Sequence, residues 1–204
     1  MGTQDFQAVV SALQAQGFWR GEAVLPAALT ENLLAELLTR RAQKQLQRAG
    51  IGRAQQFQVD DATRRDSIHW LDGSSVAQQD YLQLMDELRL YLNQHLFLGL
   101  HDFETHFAYY PPGSFYKKHS DSFVGEKNRT VSVVAYLNPR WTVGDGGELV
   151  LYDQADAELE KLLPVGGSLV VFISEEMPHE VLTTHQDRYS IAGWFRVKTE
   201  NSGW

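Results

Sequence analysis

Two short His-x-Asp tripeptides have residue types and spacing that could bind a metal ion. They are His119-Ser-Asp121 and His185-Gln-Asp187. The first closes a strand-like segment, and because strand side chains alternate, its histidine and aspartate would share one face and could contact one ion. The second lies in a polar turn with no histidine after it, which favours a solvated turn. The tripeptide at His119 is therefore the better candidate.

A third ligand is available at His179, which opens a strand after the apolar run Leu169–Ile173. The chain has no cysteine, so a metal would have to bind His, Asp or Glu side chains. Two histidines and one aspartate have the composition of the facial triad that holds non-haem iron(II) and leaves positions open for oxygen chemistry. Two other interpretations stay open: a core histidine held by one hydrogen bond, or a cupin-like sandwich that holds another divalent metal.

One arginine near the C-terminus could bind an anionic co-substrate. Alternation places Arg188 and Trp194 on the same face of the strand-like segment 188–198. If that face points inward, the permanently charged guanidinium needs an anionic partner. A dicarboxylate would supply one through a bidentate pair, and Tyr136 on a neighbouring apolar strand could add a hydroxyl. The alternatives are an exposed edge arginine or an ion pair with Glu148.

Three helices and a β-rich C-terminal half have to position these residues. Apolar periodicity predicts helices at about 4–16, 27–48 and 75–96. Short β-rich runs separated by Gly, Pro, Asn and Asp follow at 103–110, 114–119, 130–137, 147–152, 168–173, 179–184 and 188–198. Strands at this spacing are typical of a sandwich or barrel, which the helices would buttress.

Length and composition limit the domain count and the partners. With 204 residues, 43% of them apolar, the chain suits one domain with a sizeable core. A formal net charge of −8 and the lack of a long Lys/Arg run argue against a nucleic-acid partner. No segment approaches the roughly 20 apolar residues of a membrane span, and the N-terminus lacks a signal-peptide pattern. We therefore expect a cytoplasmic protein with no membrane partner.

The same residues resemble the oxygen-sensing prolyl hydroxylases, a family of iron(II)- and 2-oxoglutarate-dependent oxygenases. The matching segments are Tyr110-Pro-Pro-Gly113, Tyr116-Lys-Lys-His119-Ser-Asp121, Arg129-Thr-Val-Ser-Val-Val-Ala-Tyr136-Leu-Asn138 with Trp141, Gly146-Gly-Glu-Leu149, Pro178-His-Glu-Val181, and Arg188-Tyr189 with Trp194. Arg64-Arg-Asp-Ser-Ile-His-Trp70 resembles the strand after the family's substrate-covering loop. The chain is similar in particular to bacterial members, including a pseudomonad enzyme that acts on elongation factor Tu. One departure is Ala192, where the animal enzymes carry a threonine, so their slow reaction with oxygen is not carried over.

The resemblance implies a fold and a set of site residues. The fold is α+β, a double-stranded β-helix (jelly-roll) with N-terminal helices packed on the major sheet. One domain, 1–204, would comprise a helical buttress at 1–100, with a substrate loop at about 50–66, and a dioxygenase core at 101–198. The implied iron ligands are His119, Asp121 and His179; the 2-oxoglutarate residues are Arg188, Tyr136 and Tyr110; the substrate contacts are Arg129, Tyr116, Trp194, Arg64 and Arg65.

The resemblance also implies a reaction and its partners. The enzyme would use iron(II), 2-oxoglutarate and O2 to hydroxylate a proline of a protein substrate at the 4-position, with succinate and CO2 as co-products. Ascorbate would support this activity. Elongation factor Tu is the first substrate candidate, and a monomer is expected. The alternatives are a 2-oxoglutarate oxygenase with a non-prolyl substrate, such as a nucleic-acid demethylase, and a non-catalytic β-sandwich binding module. The net negative charge argues against a nucleic-acid demethylase. The complete set of candidate metal ligands argues against a non-catalytic binding module.

Overall fold

Two antiparallel sheets and three helices form the part of the chain that the structure describes. This computed structural model describes residues 2–50, 60–122 and 128–198. The helices are α1 (Thr3–Gln16), α2 (Ala27–Ala42) and α3 (Val76–Leu96), with a short 3-10 helix at Val143–Asp145. The strands are β1 (Phe18–Gly21), β2 (Gln47–Arg48), β3 (Ser67–Trp70), β4 (Leu100–Tyr110), β5 (Tyr116–His119), β6 (Arg129–Tyr136), β7 (Leu149–Tyr152), β8 (Glu158–Leu162), β9 (Leu169–Ile173), β10 (His179–Val181) and β11 (Arg188–Val197).

The two sheets face each other across an apolar layer. The larger sheet has the strand order β1-β9-β6-β11-β4-β3-β2, and the smaller sheet has the order β5-β10-β7-β8. Tyr136, Leu151 and Phe172 are buried in the layer between them. Strands that are consecutive in the chain alternate between the sheets over much of the C-terminal half. The expected α+β, jelly-roll-like architecture is confirmed.

The helices cover the outer face of the larger sheet. Val9 of α1 and Met85 of α3 share a core with Phe107 of β4 and with Ile191 and Phe195 of β11. Because strand side chains alternate, this packing turns the other face of β11 toward the smaller sheet. The helix layer therefore determines which residues of β11 can reach the space between the sheets.

No helix in the described ranges is long and apolar enough to cross a membrane.

The second helix is shorter than its periodicity predicts. The prediction of a helix over 27–48 is wrong at its end, because α2 stops at Ala42 and Lys44 adopts a left-handed conformation with φ of 56°. After Leu38 the sequence is mostly polar, and Leu46 is the one large apolar residue before Gly50, so further turns would bury little apolar surface. The chain instead pairs Gln47 and Arg48 with β3 as an edge strand.

Other strand boundaries differ from the predictions in smaller ways. The strand predicted over 179–184 ends at Val181, and the one predicted over 147–152 begins at Leu149. Strands β1 and β8 were not predicted, because β1 is short and the edge strand β8 carries mostly exposed polar residues without clear alternation. Of the predicted loop at about 50–66, residues 51–59 lie outside the described residues.

Candidate active site

Strand pairing in the smaller sheet brings the three candidate metal ligands together. His119 at the end of β5 is the antiparallel partner of His179 at the start of β10, and Asp121 follows just beyond β5. Nε2 of His119 lies 3.7 Å from Oδ1 of Asp121, and Nε2 of His179 lies 3.5 Å from Oδ2. One potential ligand atom from each residue lies within 4.8 Å of the other two. A single ion could therefore bind all three side chains.

Backbone carbonyls orient both imidazole rings. Nδ1 of His119 lies 2.8 Å from the carbonyl oxygen of Lys117, and Nδ1 of His179 lies 2.9 Å from that of Met177. Because a carbonyl oxygen only accepts hydrogen bonds, Nδ1 must carry the proton in each ring. The lone pair is then on Nε2, the atom turned toward Asp121. This is the arrangement in which histidines bind a metal with the other ring nitrogen hydrogen-bonded.

The buried carboxylate of Asp121 is kept ionised by its neighbours. Burial alone would raise the pKa of Asp121, but its interactions with His179 and His119 and a hydrogen bond from Ser132 hold this pKa well below its usual range. The Ser132 hydroxyl lies 2.7 Å from Oδ2 of Asp121 and 2.8 Å from the hydroxyl of Ser174. Burial, only partly opposed by the charge of Asp121, lowers the pKa of His179 to about 4. Asp121 is thus ionised and His179 neutral, as metal binding requires of these two side chains.

The second tripeptide does not join this cluster. Asp187 accepts hydrogen bonds from Nη1 of Arg41, at 2.8 Å, and from the hydroxyl of Tyr109, also at 2.8 Å. The turn is partly solvated, as predicted, with 38% of the Asp187 side chain exposed, and this carboxylate also links α2 to the end of the larger sheet. His185 is exposed at the turn and is not one of the three clustered candidate ligands.

The side chain of Arg188 is fully buried between the sheets. Only 1% of the residue is exposed, and the guanidinium donates to the carbonyl of Gly147 at 2.8 Å and to the Ser190 hydroxyl at 3.2 Å. Within the described ranges no carboxylate lies within 4 Å of it, so neither Glu148 nor an exposed edge position explains this arginine. A buried guanidinium without an anion is costly, which suits it to a ligand that brings a carboxylate.

Two tyrosines flank this guanidinium. The rings of Tyr110 and Tyr136 lie 5.0 and 5.2 Å from Cζ of Arg188. The Tyr136 hydroxyl is buried without a hydrogen-bond partner in the described part of the chain, and burial raises its pKa to about 12. Burial likewise raises the pKa of Tyr110 above its ordinary value. A carboxylate placed here would meet a cation and an unused hydroxyl donor.

A cavity of about 690 Å³ extends from the three candidate metal ligands to Arg188. Several aromatic and charged residues also line this cavity. The Tyr116 ring stacks on His119 with centroids 3.6 Å apart, and the guanidinium of Arg64 lies 4.2 Å above Tyr116. The Arg129 guanidinium lies 3.6 Å over the ring of Trp194 and pairs with Glu104 at 2.8 Å. These side chains line the cavity between the metal cluster and the opening.

One predicted substrate contact lies elsewhere. Arg65 is exposed, donates to the carbonyl of Asp61 at 2.8 Å and lies 4.9 Å from the ring of Phe115. It is not among the residues that line the cavity. Because neighbouring residues of an extended chain point to opposite sides, Arg64 and Arg65 cannot both face the cavity.

Similarity to known proteins identifies the family. Residues 105–196 match the 2OG-Fe(II) oxygenase superfamily. A prolyl-4-hydroxylase from Pseudomonas putida is 44% identical, superposes with a TM-score of 0.84, and is matched over 95% of this chain and 100% of its own. The chain belongs to the prolyl hydroxylases of this superfamily. A Trichoplax adhaerens prolyl hydroxylase, solved with a peptide fragment of the hypoxia-inducible factor oxygen degradation domain, is 27% identical with a TM-score of 0.84, over 95% of this chain and 89% of its own.

Curated members of the prolyl hydroxylase family are longer. The Caenorhabditis elegans hypoxia-inducible factor prolyl hydroxylase is 30% identical over 155 residues, which are 71% of this chain and 21% of that protein. The human prolyl hydroxylase EGLN3 is 29% identical over 140 residues, which are 65% of this chain and 58% of that protein. This chain therefore spans about a fifth of the length of the first relative and about three fifths of the length of the second.

The site fits the cofactors that are typical of the superfamily. Iron(II) suits two imidazoles and one carboxylate that line a cavity. 2-Oxoglutarate suits the buried cation of Arg188 and the partnerless hydroxyl of Tyr136. Both groups would thus find their complementary atoms in this prolyl hydroxylase.

Sequence reasoning missed three residues of the site. Ser132 holds Asp121, while His106 and Trp70 line the cavity beside Trp194. A signal for Ser132 was available, because a hydroxyl in the middle of an apolar strand needs a polar partner. No such signal marked His106, since only strand pairing shows that it lies next to Trp70.

Proposed function

We propose that this prolyl hydroxylase uses iron(II), 2-oxoglutarate and O2 to add one hydroxyl group to a proline in a protein substrate. The target atom would be C4 of the ring, and succinate and CO2 would be the co-products. The observation that carries the proposal is a single cavity with an iron-type ligand set at one point and, at another, a buried guanidinium that pairs with no carboxylate of the described residues.

Each group in the cavity has a defined task. His119, Asp121 and His179 would hold iron(II), which with 2-oxoglutarate supplies the oxidant for an unactivated C–H bond. Arg188 would pair with the distal carboxylate of 2-oxoglutarate, while the Tyr136 hydroxyl donates to the same group. Tyr110 would close the wall of that subsite. No side chain is needed as a general base.

The aromatic residues near the opening suit a proline ring. Tyr116 stacks on the metal ligand His119, and Trp194 lies under Arg129 on the other sheet. A ring of low polarity packs well against aromatic faces, and the enclosing side chains would exclude water from the reacting carbon. Arg64, whose guanidinium lies over the ring of Tyr116, would contact the segment next to that proline. We propose that these four residues bind the target segment.

We propose elongation factor Tu as the substrate to test first, on the resemblance to a bacterial enzyme that modifies it. A translation factor as substrate would place the enzyme in the cytoplasm, where it would act as a monomer. Ascorbate would support turnover by keeping the iron reduced. The net charge of −8 continues to argue against a nucleic-acid substrate.

The test is tryptic mass spectrometry of cellular proteins with and without this gene, followed by reaction of purified enzyme, iron(II) and 2-oxoglutarate with the candidate. We expect one added oxygen on a proline of elongation factor Tu, and Asp121→Ala should abolish it. Equal occupancy in both cell lines would exclude this target. If no protein gained oxygen on proline in either experiment, the proposed reaction itself would be wrong.

A further inference from the structure

His106 occupies a position between the opening of the cavity and the metal ligands. Strand register makes it the partner of Trp70 on β3 and of Ala192 on β11, so these residues form one row across the larger sheet. Trp70 stands at the outer end of the row and is 49% exposed. Ser132, which contacts Asp121, is on β6, on the far side of β11 from His106. A segment that reaches the metal site from the Trp70 side would pass His106.

One ring nitrogen of His106 has no hydrogen-bond partner among the residues that the structure describes. The residue is only 3% exposed, and its ring lies 5.1 Å from that of Trp70 and 5.5 Å from that of Trp194. Its Nδ1 lies 3.1 Å from the carbonyl of Phe107, so Nδ1 carries the proton. Within the described ranges the imidazole makes no other hydrogen bond. Its Nε2 is therefore an unused acceptor between two indole rings.

Burial and two nearby arginines keep the His106 imidazole uncharged. Burial, and then the charge of Arg64, lower the pKa of His106 to about 4; Arg129 acts in the same direction, and Asp66 acts against it. The ring is thus uncharged at neutral pH. Across β11, Ala192 offers only a methyl group and has no hydrogen-bonding side chain that could satisfy Nε2. His106 lines the cavity, and an acceptor there without a donor from the protein suits a donor that arrives with a ligand.

We propose that Nε2 of His106 accepts a hydrogen bond from a backbone N–H of the substrate segment beside the target proline, and so helps to select the protein substrate. This inference rests on the proposed prolyl hydroxylation. A proline has no N–H of its own, so the donor belongs to a flanking residue. A free co-substrate or metal ion needs no such acceptor. His106 would therefore affect recognition of the protein substrate and leave 2-oxoglutarate binding unchanged.

The test compares His106→Phe, which keeps an aromatic ring but removes the acceptor, with His106→Gln, whose amide oxygen can take the place of Nε2. Initial rates of hydroxylation are measured against the concentration of the protein substrate. We expect His106→Phe to raise KM for that substrate about tenfold, in line with a buried donor left unsatisfied, and His106→Gln to restore part of the loss. The matched control is His101→Phe, the same change at an exposed position of the same strand.

Two further readouts separate recognition from structural damage. Metal affinity and KM for 2-oxoglutarate should be unchanged within about twofold in His106→Phe. If these constants deteriorate as much as KM for the protein substrate, His106 has a structural role and the inference is wrong. It is equally wrong if His106→Phe and His101→Phe have the same KM as the wild type. Absence of prolyl hydroxylation by the wild type would instead refute the proposed function.

Discussion

Replacement of Arg188 by methionine should separate co-substrate binding from stability. The two charge-assisted hydrogen bonds of a bidentate pair contribute about 1.5–3 kcal/mol each, so Arg188→Met should weaken 2-oxoglutarate binding by roughly 10²- to 10⁴-fold. Without co-substrate the guanidinium is buried with two neutral acceptors, Gly147 and Ser190, and no anion among the described residues. Replacement of a buried ion pair by apolar side chains of similar volume is often neutral or stabilising by about 1–4 kcal/mol, and Arg188→Met removes a buried charge without leaving a carboxylate unpaired among the described residues. The lost hydrogen bonds to Gly147 and Ser190 act in the opposite direction, at about 1–3 kcal/mol for each acceptor. The two effects are of similar size, so the variant should unfold within about 2 kcal/mol of the wild type in the absence of 2-oxoglutarate.

Two measurements test this prediction. Succinate formation is titrated with 2-oxoglutarate, and urea unfolding is followed without it. Arg188→Lys is the control, because it keeps the charge but loses the planar fork, and it should give an intermediate KM. A KM for 2-oxoglutarate within threefold of the wild-type value in Arg188→Met would refute the assignment of the distal carboxylate. A large loss of stability without ligand would refute the view that the site is complete only with an anion.

Four other outcomes are expected. Asp121→Ala should abolish turnover while leaving the fold largely intact, because the two apolar cores that hold the sheets do not include this carboxylate; turnover near the wild-type rate would exclude the metal assignment. Ser132→Ala should weaken metal binding by about 10- to 100-fold by freeing Asp121, as calorimetry with manganese(II) would show; an unchanged affinity would contradict this role. Cobalt(II) should inhibit in competition with iron(II), and inhibition that excess iron cannot relieve would argue against a shared site. As the pH falls from 6.5 toward 4, His106 becomes protonated in the unfolded chain before it does in the folded protein. The unfolding free energy of the wild type should therefore decrease by about 2 kcal/mol by pH 5, and that of His106→Phe should lack this decrease. If urea unfolding of both proteins had the same pH dependence, the burial of a neutral ring would be contradicted.

The sequence was informative where chemistry and strand periodicity act together. Alternation placed His119 and Asp121 on one face, and the structure brings them to His179 through the pairing of β5 with β10. The inward face of β11 could not be chosen from the sequence, because both of its faces are buried. Only the helix layer, packed on Ile191, decides that Arg188 points into the cavity.

The remaining errors arose where tertiary contacts override local pattern. Arg41 is part of the helical pattern that was extended to residue 48, yet its guanidinium binds Asp187 from a distant turn. Neither residue shows this partner in its own neighbourhood. His106 is comparable, since its importance depends on Trp70 and Trp194, which come from different strands. Contacts between segments so far apart in sequence leave no local pattern from which to predict them.

The stack of Arg64, Tyr116 and His119 connects the rim of the cavity to the candidate metal ligands. Arg64 also binds Asp66 through two hydrogen bonds of 2.7 and 2.6 Å and donates to the carbonyl of Gly50 at 3.3 Å. A substrate that displaced this guanidinium would change the packing on Tyr116 and, through it, the tilt of a metal-binding ring. The visible absorption of cobalt(II) in this site would then act as an optical reporter of substrate docking, without any label attached to either protein.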